Sequence, residues 1–273
     1  MPEGDTVWLT AARLHDALAG ARLVRFDLRV PRYAAADLTG SIVREVVARG
    51  KHLLMRIEPD VTLHSHLGMD GSWRLRPASE RVPGPRAANV RAVLMTEAWL
   101  AVGSDLARVD LVRSEQESQL VGHLGPDLLG PDWDAAEAVR RLSASPDRPV
   151  AEAVLDQRNL AGIGNVYQAE LLFLRGVHPT TPVSAAGDLD RLVRLARELL
   201  LANRNVHGHV TTGDRRPDRR HWVYGRAGAP CRRCGTLIER GQIGAPGEQR
   251  VAYWCPHCQP ERCAELRIGT AGQ

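Results

Sequence analysis

CRRCGTLIERGQIGAPGEQRVAYWCPHC, residues 231–258, begins and ends on a Cys-x-x-Cys pair, with twenty residues between Cys234 and Cys255. Two such knuckles at this separation place four thiolates around one tetrahedral ion. Gly235 and Pro256-His257 supply the knuckle turns. Cys231, Cys234, Cys255 and Cys258 are therefore expected to hold one structural Zn2+. Four thiolates leave no open coordination position, so the ion folds a hairpin and breaks no bonds. Paired disulfides or redox Cys-x-x-Cys motifs are the competing reading, disfavoured by a reducing compartment and by the lack of a βαβ pattern around the pairs. Cys263 is left over as a free thiol.

Within this ribbon Arg250, Ala252 and Trp254 alternate with Val251 and Tyr253, so a strand projects Arg250 from one face of the hairpin. Just upstream, residues 208–230 contain GDRRPDRR, lack apolar periodicity and read as a basic connecting loop. Residues 201–273 hold twelve Arg against six acids, while the chain of 273 residues as a whole is only +4. Positive charge gathered in one segment points to a polyanion, most simply nucleic acid. At 44% apolar and 25% charged residues the composition is that of a globular protein. No stretch is long and apolar enough to span a membrane, and MPEGDTVWLT has no basic region followed by an apolar run. A cytoplasmic, nucleoid-associated protein is expected.

Further towards the N-terminus the pattern is helical: 134–142, 150–157, 166–175 and 189–203, with GPDLLGPD at 125–132 as a hinge. Residues 161–168, AGIGNVYQ, lie between two of these helices. Gly162 and Gly164 remove side chains where a backbone can approach an anion, Asn165 offers a donor, and the next helix presents free N–H groups; tight helix packing demands the same glycines. Before residue 125 the segments are short and rich in β-formers (23–30, 42–48, 52–57, 61–66, 72–76, 90–95 and 99–102), as in a sandwich or barrel. Val7, Ala11, Leu14 and Leu18 mark an initial helix capped by Asp5 or Thr6.

Two small features in this half carry chemistry. Of 36 basic residues only Lys51 is a lysine, placed by an Arg49-Gly50 turn at a strand start; an ammonium on a flexible stem can lose its proton where a guanidinium cannot. Removal of Met1 leaves Pro2 with a free secondary amine, able to attack a sugar aldehyde and form an iminium, with Glu3 beside it to pass protons.

MPEG, RGKHLL around Lys51, HSHLGMDGSW at 64–73, LAGIGNVYQAELLF at 160–173 and EQRVAYWCPHCQ at 248–259 together resemble the formamidopyrimidine-DNA glycosylase and endonuclease VIII family, in the family's order and over nearly the whole chain. PEGDTVW and VYGRAG look closest to its actinobacterial endonuclease VIII-like branch. The resemblance implies a multi-domain α+β fold: an N-terminal β-sandwich catalytic domain (1–124), a helix-two-turn-helix domain (125–222), a zinc finger hairpin (223–263) and a tail (264–273), with DNA in the cleft. It implies a monomer acting on damaged double-stranded or gapped DNA as a bifunctional glycosylase and abasic-site lyase. Pro2 is implied as nucleophile at C1′, Glu3 as proton donor and Lys51 as a phosphate-gripping catalytic group. Asn165, Gly164 and Arg250 would hold phosphates flanking the extruded nucleotide, and Met69 would wedge into the gap.

Three positions depart from the family pattern. Thr6 stands where many members have a second Glu, Gly68-Met69-Asp70 replaces a Gln-Leu-Tyr wedge, and residues 102–111 contain no Arg and Phe pair to probe the opposite base. Oxidised pyrimidines and abasic sites are the expected lesions. A noncatalytic zinc-dependent DNA-binding protein of the same fold is the alternative.

Overall fold

The apolar stripe Val7, Ala11, Leu14 and Leu18 folds as α1 (Gly4–Leu18) and is buried throughout. The computed structural model describes residues 2–84, 86–245, 247 and 249–261; Cys263 and the tail lie outside them. The helix starts before the expected Asp5 or Thr6 cap. Glu3 occupies the N-cap position in extended backbone, and Gly4 N donates to Gly162 O at 2.8 Å, so a long-range bond sets the first turn. Asp5 Oδ1 instead accepts from Thr6 N.

The β-rich segments form β1 (Arg25–Leu28), β2 (Val43–Arg49), β3 (His52–Ile57), β4 (Val61–His66), β5 (Ser72–Pro77), β6 (Val90–Met95), β7 (Trp99–Ser104) and β8 (Arg108–Arg113). They pair antiparallel in two sheets, ordered β1-β6-β7-β5 and β2-β3-β4-β8. Phe26, Leu28 and Leu94 from one sheet meet Val46, Leu53, Met55 and Leu63 from the other, and α1 adds its stripe to the same core. Each fully buried leucine there contributes roughly 1.5–3 kcal/mol by leaving water. This is the N-terminal β-sandwich. On the second sheet the alternate residues, among them Arg49, His52, Arg56, His64, His66, Arg108 and Asp110, face away from that core. The short α2 (Glu117–Val121) supplies Glu117, which accepts from Arg56 Nη2 at 2.7 Å.

Beyond the sandwich come α3 (Ala135–Ser143), α4 (Val150–Leu155), α5 (Asn165–Arg175) and α6 (Leu189–Asn203), then β9 (Glu239–Ile243) and β10 (Arg250–Trp254). Asp134 caps α3 by accepting from Glu137 N at 3.1 Å. The α4-turn-turn-α5 segment is the helix-two-turn-helix element, and every residue of α5 from Asn165 to Phe173 is buried. Ala169 and Phe173 on α5 pack with Val223, Cys231, Ile238 and Cys255, giving the cysteine hairpin its own small core. By their contacts the residues group into two units. One gathers the chain up to Trp133 with Leu160–Ile163 and Leu200–Gly208; the other gathers Asp134–Asn159, Gly164–Leu199 and the chain from His209 onward.

Candidate functional site

In the first unit, half-buried Pro2 leads into Glu3, which is fully buried. The residue after them has no room for a side chain: a Cβ on Gly4 would stand 2.9 Å from Gly162 Cα and 3.0 Å from Gly162 O. Lys51 lies in the two-residue turn joining β2 to β3, where Gly50 has a φ of +57°. A Cβ on Gly50 would stand 3.2 Å from Ala161 Cβ and 3.4 Å from Gly162 N. The helix start bearing Pro2 and Glu3 and the turn bearing Lys51 thus close on one dipeptide, Ala161-Gly162. Gly162 makes room for the chain's own backbone, which is the packing role open to it from the sequence.

The run 125–132, expected as a hinge, is largely packed. Gly125 through Leu128 are buried, Ala161 N donates to Pro126 O at 3.0 Å and Leu128 N to Ala161 O at 3.2 Å. Asp127, not singled out from the sequence, holds the turn that carries Lys51. Its Oδ2 accepts from Gly50 N at 2.7 Å and its Oδ1 from Leu129 N at 3.0 Å. Burial pushes its carboxyl above the usual range, against the downward pull of these two donors. Arg49 completes the bracket by pairing with Asp132 at 2.7 Å. Met69 is no core residue: it projects from the turn after β4 and is 65% exposed.

In the second unit, Gly164 is the N-cap of α5 and Asn165 its first residue. Asn165 Nδ2 donates to Val251 O at 2.7 Å, tying the helix start to the strand that Arg250 opens. Arg250 is exposed and lines a groove of about 730 Å³ with Arg148, Glu152, Asp156 and Arg158. The groove's acids are engaged: Asp156 pairs with Arg158 at 2.7 Å and Arg148 at 2.8 Å, and Glu152 Oε1 accepts from Gly244 N at 3.1 Å. The bond from Arg158, followed by that from Arg148, outweighs burial and holds Asp156 far below the usual carboxylate range. Buried Glu170 on α5 accepts from Trp222 N, Val223 N and Tyr224 N at 2.7–2.9 Å and from the Thr211 hydroxyl, clamping both ends of the basic loop.

The four ribbon cysteines converge. Their Sγ atoms all lie within 4.8 Å of one another, with Cys231–Cys258 at 3.9 Å and Cys234–Cys255 and Cys234–Cys258 at 3.5 Å. A sulfur–sulfur bond needs about 2.05 Å, whereas a tetrahedron with 2.3 Å metal–sulfur bonds has edges of about 3.8 Å. The donor set fits a metal ion, and all four residues belong to it.

Residues 1–116 match the formamidopyrimidine-DNA glycosylase N-terminal domain family and residues 124–208 the formamidopyrimidine-DNA glycosylase H2TH domain family. The chain belongs to the formamidopyrimidine-DNA glycosylase and endonuclease 8 family and is an enzyme of that DNA glycosylase and lyase class. Among its relatives, Endonuclease 8 2 of Mycobacterium tuberculosis is 53% identical over 259 residues, covering 95% of this chain and 100% of that one. DNA-(apurinic or apyrimidinic site) lyase Nei2 of Mycolicibacterium smegmatis is 50% identical over 259 residues, covering 95% and 99%. Fpg of Lactococcus lactis, solved with DNA containing an abasic site, matches with a TM-score of 0.77 at 25% identity over 95% of this chain and 100% of that chain.

Proposed function

We propose that this enzyme removes oxidised bases, pyrimidines foremost, and cleaves the resulting abasic site through an iminium on Pro2. After loss of Met1, the Pro2 nitrogen attacks C1′ as the base departs with a proton supplied by Glu3. Pro2 loses its N–H proton and the C1′–O4′ bond then breaks, O4′ taking up a proton, to open the sugar as the iminium; this acidifies the C2′ hydrogen, and β- then δ-elimination expel the two flanking phosphates as leaving groups. Lys51 grips a phosphate of the extruded nucleotide, Asn165, Gly164 and Arg250 hold its neighbours, and Met69 fills the gap left in the stack. Zn2+ is the ion of the four-thiolate site and supplies folding energy only. The functional partition follows the expected boundaries at 124, 222 and 263, and the enzyme acts as a monomer on damaged duplex or gapped DNA. Abasic-site DNA, the ligand of the lactococcal Fpg, is the first substrate to try.

The observation that carries this reading is the shared anchor: Glu3 and Lys51 belong to distant stretches of chain, yet their neighbours Gly4 and Gly50 both pack on Ala161-Gly162, Gly4 N donating to Gly162 O. Incubation with abasic-site DNA and borohydride is expected to trap a covalent adduct that mass spectrometry places on Pro2. An adduct on another side chain, or undiminished trapping when an uncleaved N-terminal extension precedes Pro2, rejects the nucleophile. Salt-dependent binding without trapping or scission would favour the noncatalytic alternative.

A further inference from the structure

The outward face of β2-β3-β4-β8 carries a row of imidazoles that the proposed reaction does not use. His52 opens β3 directly after Lys51 and stands opposite His66 in the register, while His64 stands opposite Asp110. Asp110 Oδ2 accepts from Arg108 Nε at 2.6 Å and lies 3.0 Å from His64 Nδ1. His64 Nε2 lies 2.8 Å from His52 Nδ1. An ionised carboxylate only accepts, and a neutral imidazole carries one proton, so the direction of every bond follows. His64 donates its Nδ1 proton to Asp110; its Nε2 is then a lone pair and takes the Nδ1 proton of His52. His52 Nε2 is left as an acceptor.

At the other end of the row Gly68 N donates to His66 Nδ1 at 3.0 Å, so a neutral His66 carries its proton on Nε2. The His66 and His52 rings meet edge-on with centroids 5.1 Å apart, and His123 approaches His52 at 6.3 Å. The groups around the row keep it uncharged. His52 is pushed down to about 3, first by burial and then by His64, His66, His123 and Arg108. Burial also lowers His64 and His66, and His66 feels the Lys51 ammonium as well. Asp110 stays ionised because the bonds from His64 and Arg108 outweigh its own burial. Donors thus point one way from His52 through His64 to Asp110. Were the polarity reversed, His64 would carry its proton on Nε2 and its Nδ1 lone pair would face the Asp110 carboxylate.

We propose that Asp110, His64 and His52 are positioning residues for Lys51: the fixed tautomers hold the His52 strand start, and with it the adjoining Lys51, in place for a lesion-flanking phosphodiester. The inference rests on the reading of Lys51 as a phosphate contact.

Two measurements test it. In full-length protein labelled with 15N at histidine, long-range 1H–15N spectra at neutral pH are expected to place the proton on Nδ1 of His52 and His64 and on Nε2 of His66. An Nε2 proton on His52 or His64 overturns the relay. In turnover on abasic-site duplex, His64→Leu is expected to raise KM about tenfold, the scale of one lost charge-assisted contact, with kcat and borohydride trapping at saturating DNA unchanged. Wild-type KM in folded His64→Leu protein overturns the positioning role. Should that variant fail to fold, His52→Phe, at the more exposed end of the row, carries the same expectation. Absence of trapping in the wild-type enzyme would instead reject the Pro2 chemistry, while the tautomer assignment would be judged by its own spectra.

Discussion

Asp127 ties the Lys51 turn to its own loop by accepting from Gly50 N on one side and Leu129 N on the other, and its loss leaves both without their acceptor. Asp127→Ala is expected to destabilise the fold by about 2–3 kcal/mol, read as a lower Tm, and to raise KM for abasic-site DNA through displacement of Lys51. The sign of its pH effect follows from burial. Its folded pKa lies above the unfolded value, so its contribution is fully present below the ordinary carboxylate pKa and is lost as pH rises through the folded one. At this scale legibility was uneven. Lys51 stood out because it is the one lysine, and the cysteines because spacing alone defines a tetrahedral site. Asp127 sat inside a Gly-Pro run that reads as connecting chain, and only the fold shows that its carboxylate reaches Gly50. Glu3 as the N-cap of α1 was hidden likewise, since the Gly4–Gly162 contact joins distant positions and leaves no local pattern.

Elements with a single periodicity were legible: β3, β4, β6 and α6 occupy the residues their patterns mark. β8 was not: no strand was marked at Arg108-Val-Asp-Leu-Val-Arg, whose polar side turns Asp110 towards His64 and Arg108. That network makes the outward face of β2-β3-β4-β8 sensitive to acid. His52, His64 and His66 all have folded pKa values below their unfolded value, so their share of stability is present above about pH 6.5 and is lost as pH falls towards the folded values. Calorimetry is expected to show Tm falling between about pH 7 and pH 5, and His64→Leu is expected to flatten that slope. The hairpin β9–β10 behaves differently because its core includes two of the thiolates. Chelation is expected to release one metal ion per chain and to open the loop at Arg215–Arg220 to trypsin, since Arg232 otherwise donates to His221 O at 3.0 Å and to Asp218 O at 2.5 Å. Retention of the metal-loaded digestion pattern by metal-free protein would contradict this.

For the whole molecule the uneven charge matters more than the total. A net charge of +4 conceals twelve Arg against six acids in residues 201–273, and exposed Arg250 belongs to that segment. If Arg250 meets a phosphate, Arg250→Ala should weaken binding to all duplexes alike and reduce the slope of log affinity against log salt by about one. An unchanged slope would place Arg250 off the DNA. This asymmetry is legible in the residues alone, whereas the packing of Gly4 and Gly50 on Ala161-Gly162 joins positions too far apart to leave a local pattern. Met69, 65% exposed at the tip of its turn, carries a liability of its own. A thioether in open solvent is readily converted by peroxide to the sulfoxide, which is polar and chiral. If Met69 fills the gap left by an extruded base, as proposed, the same oxidants that damage bases would blunt it, and recovery would fall to the cell's sulfoxide reductases.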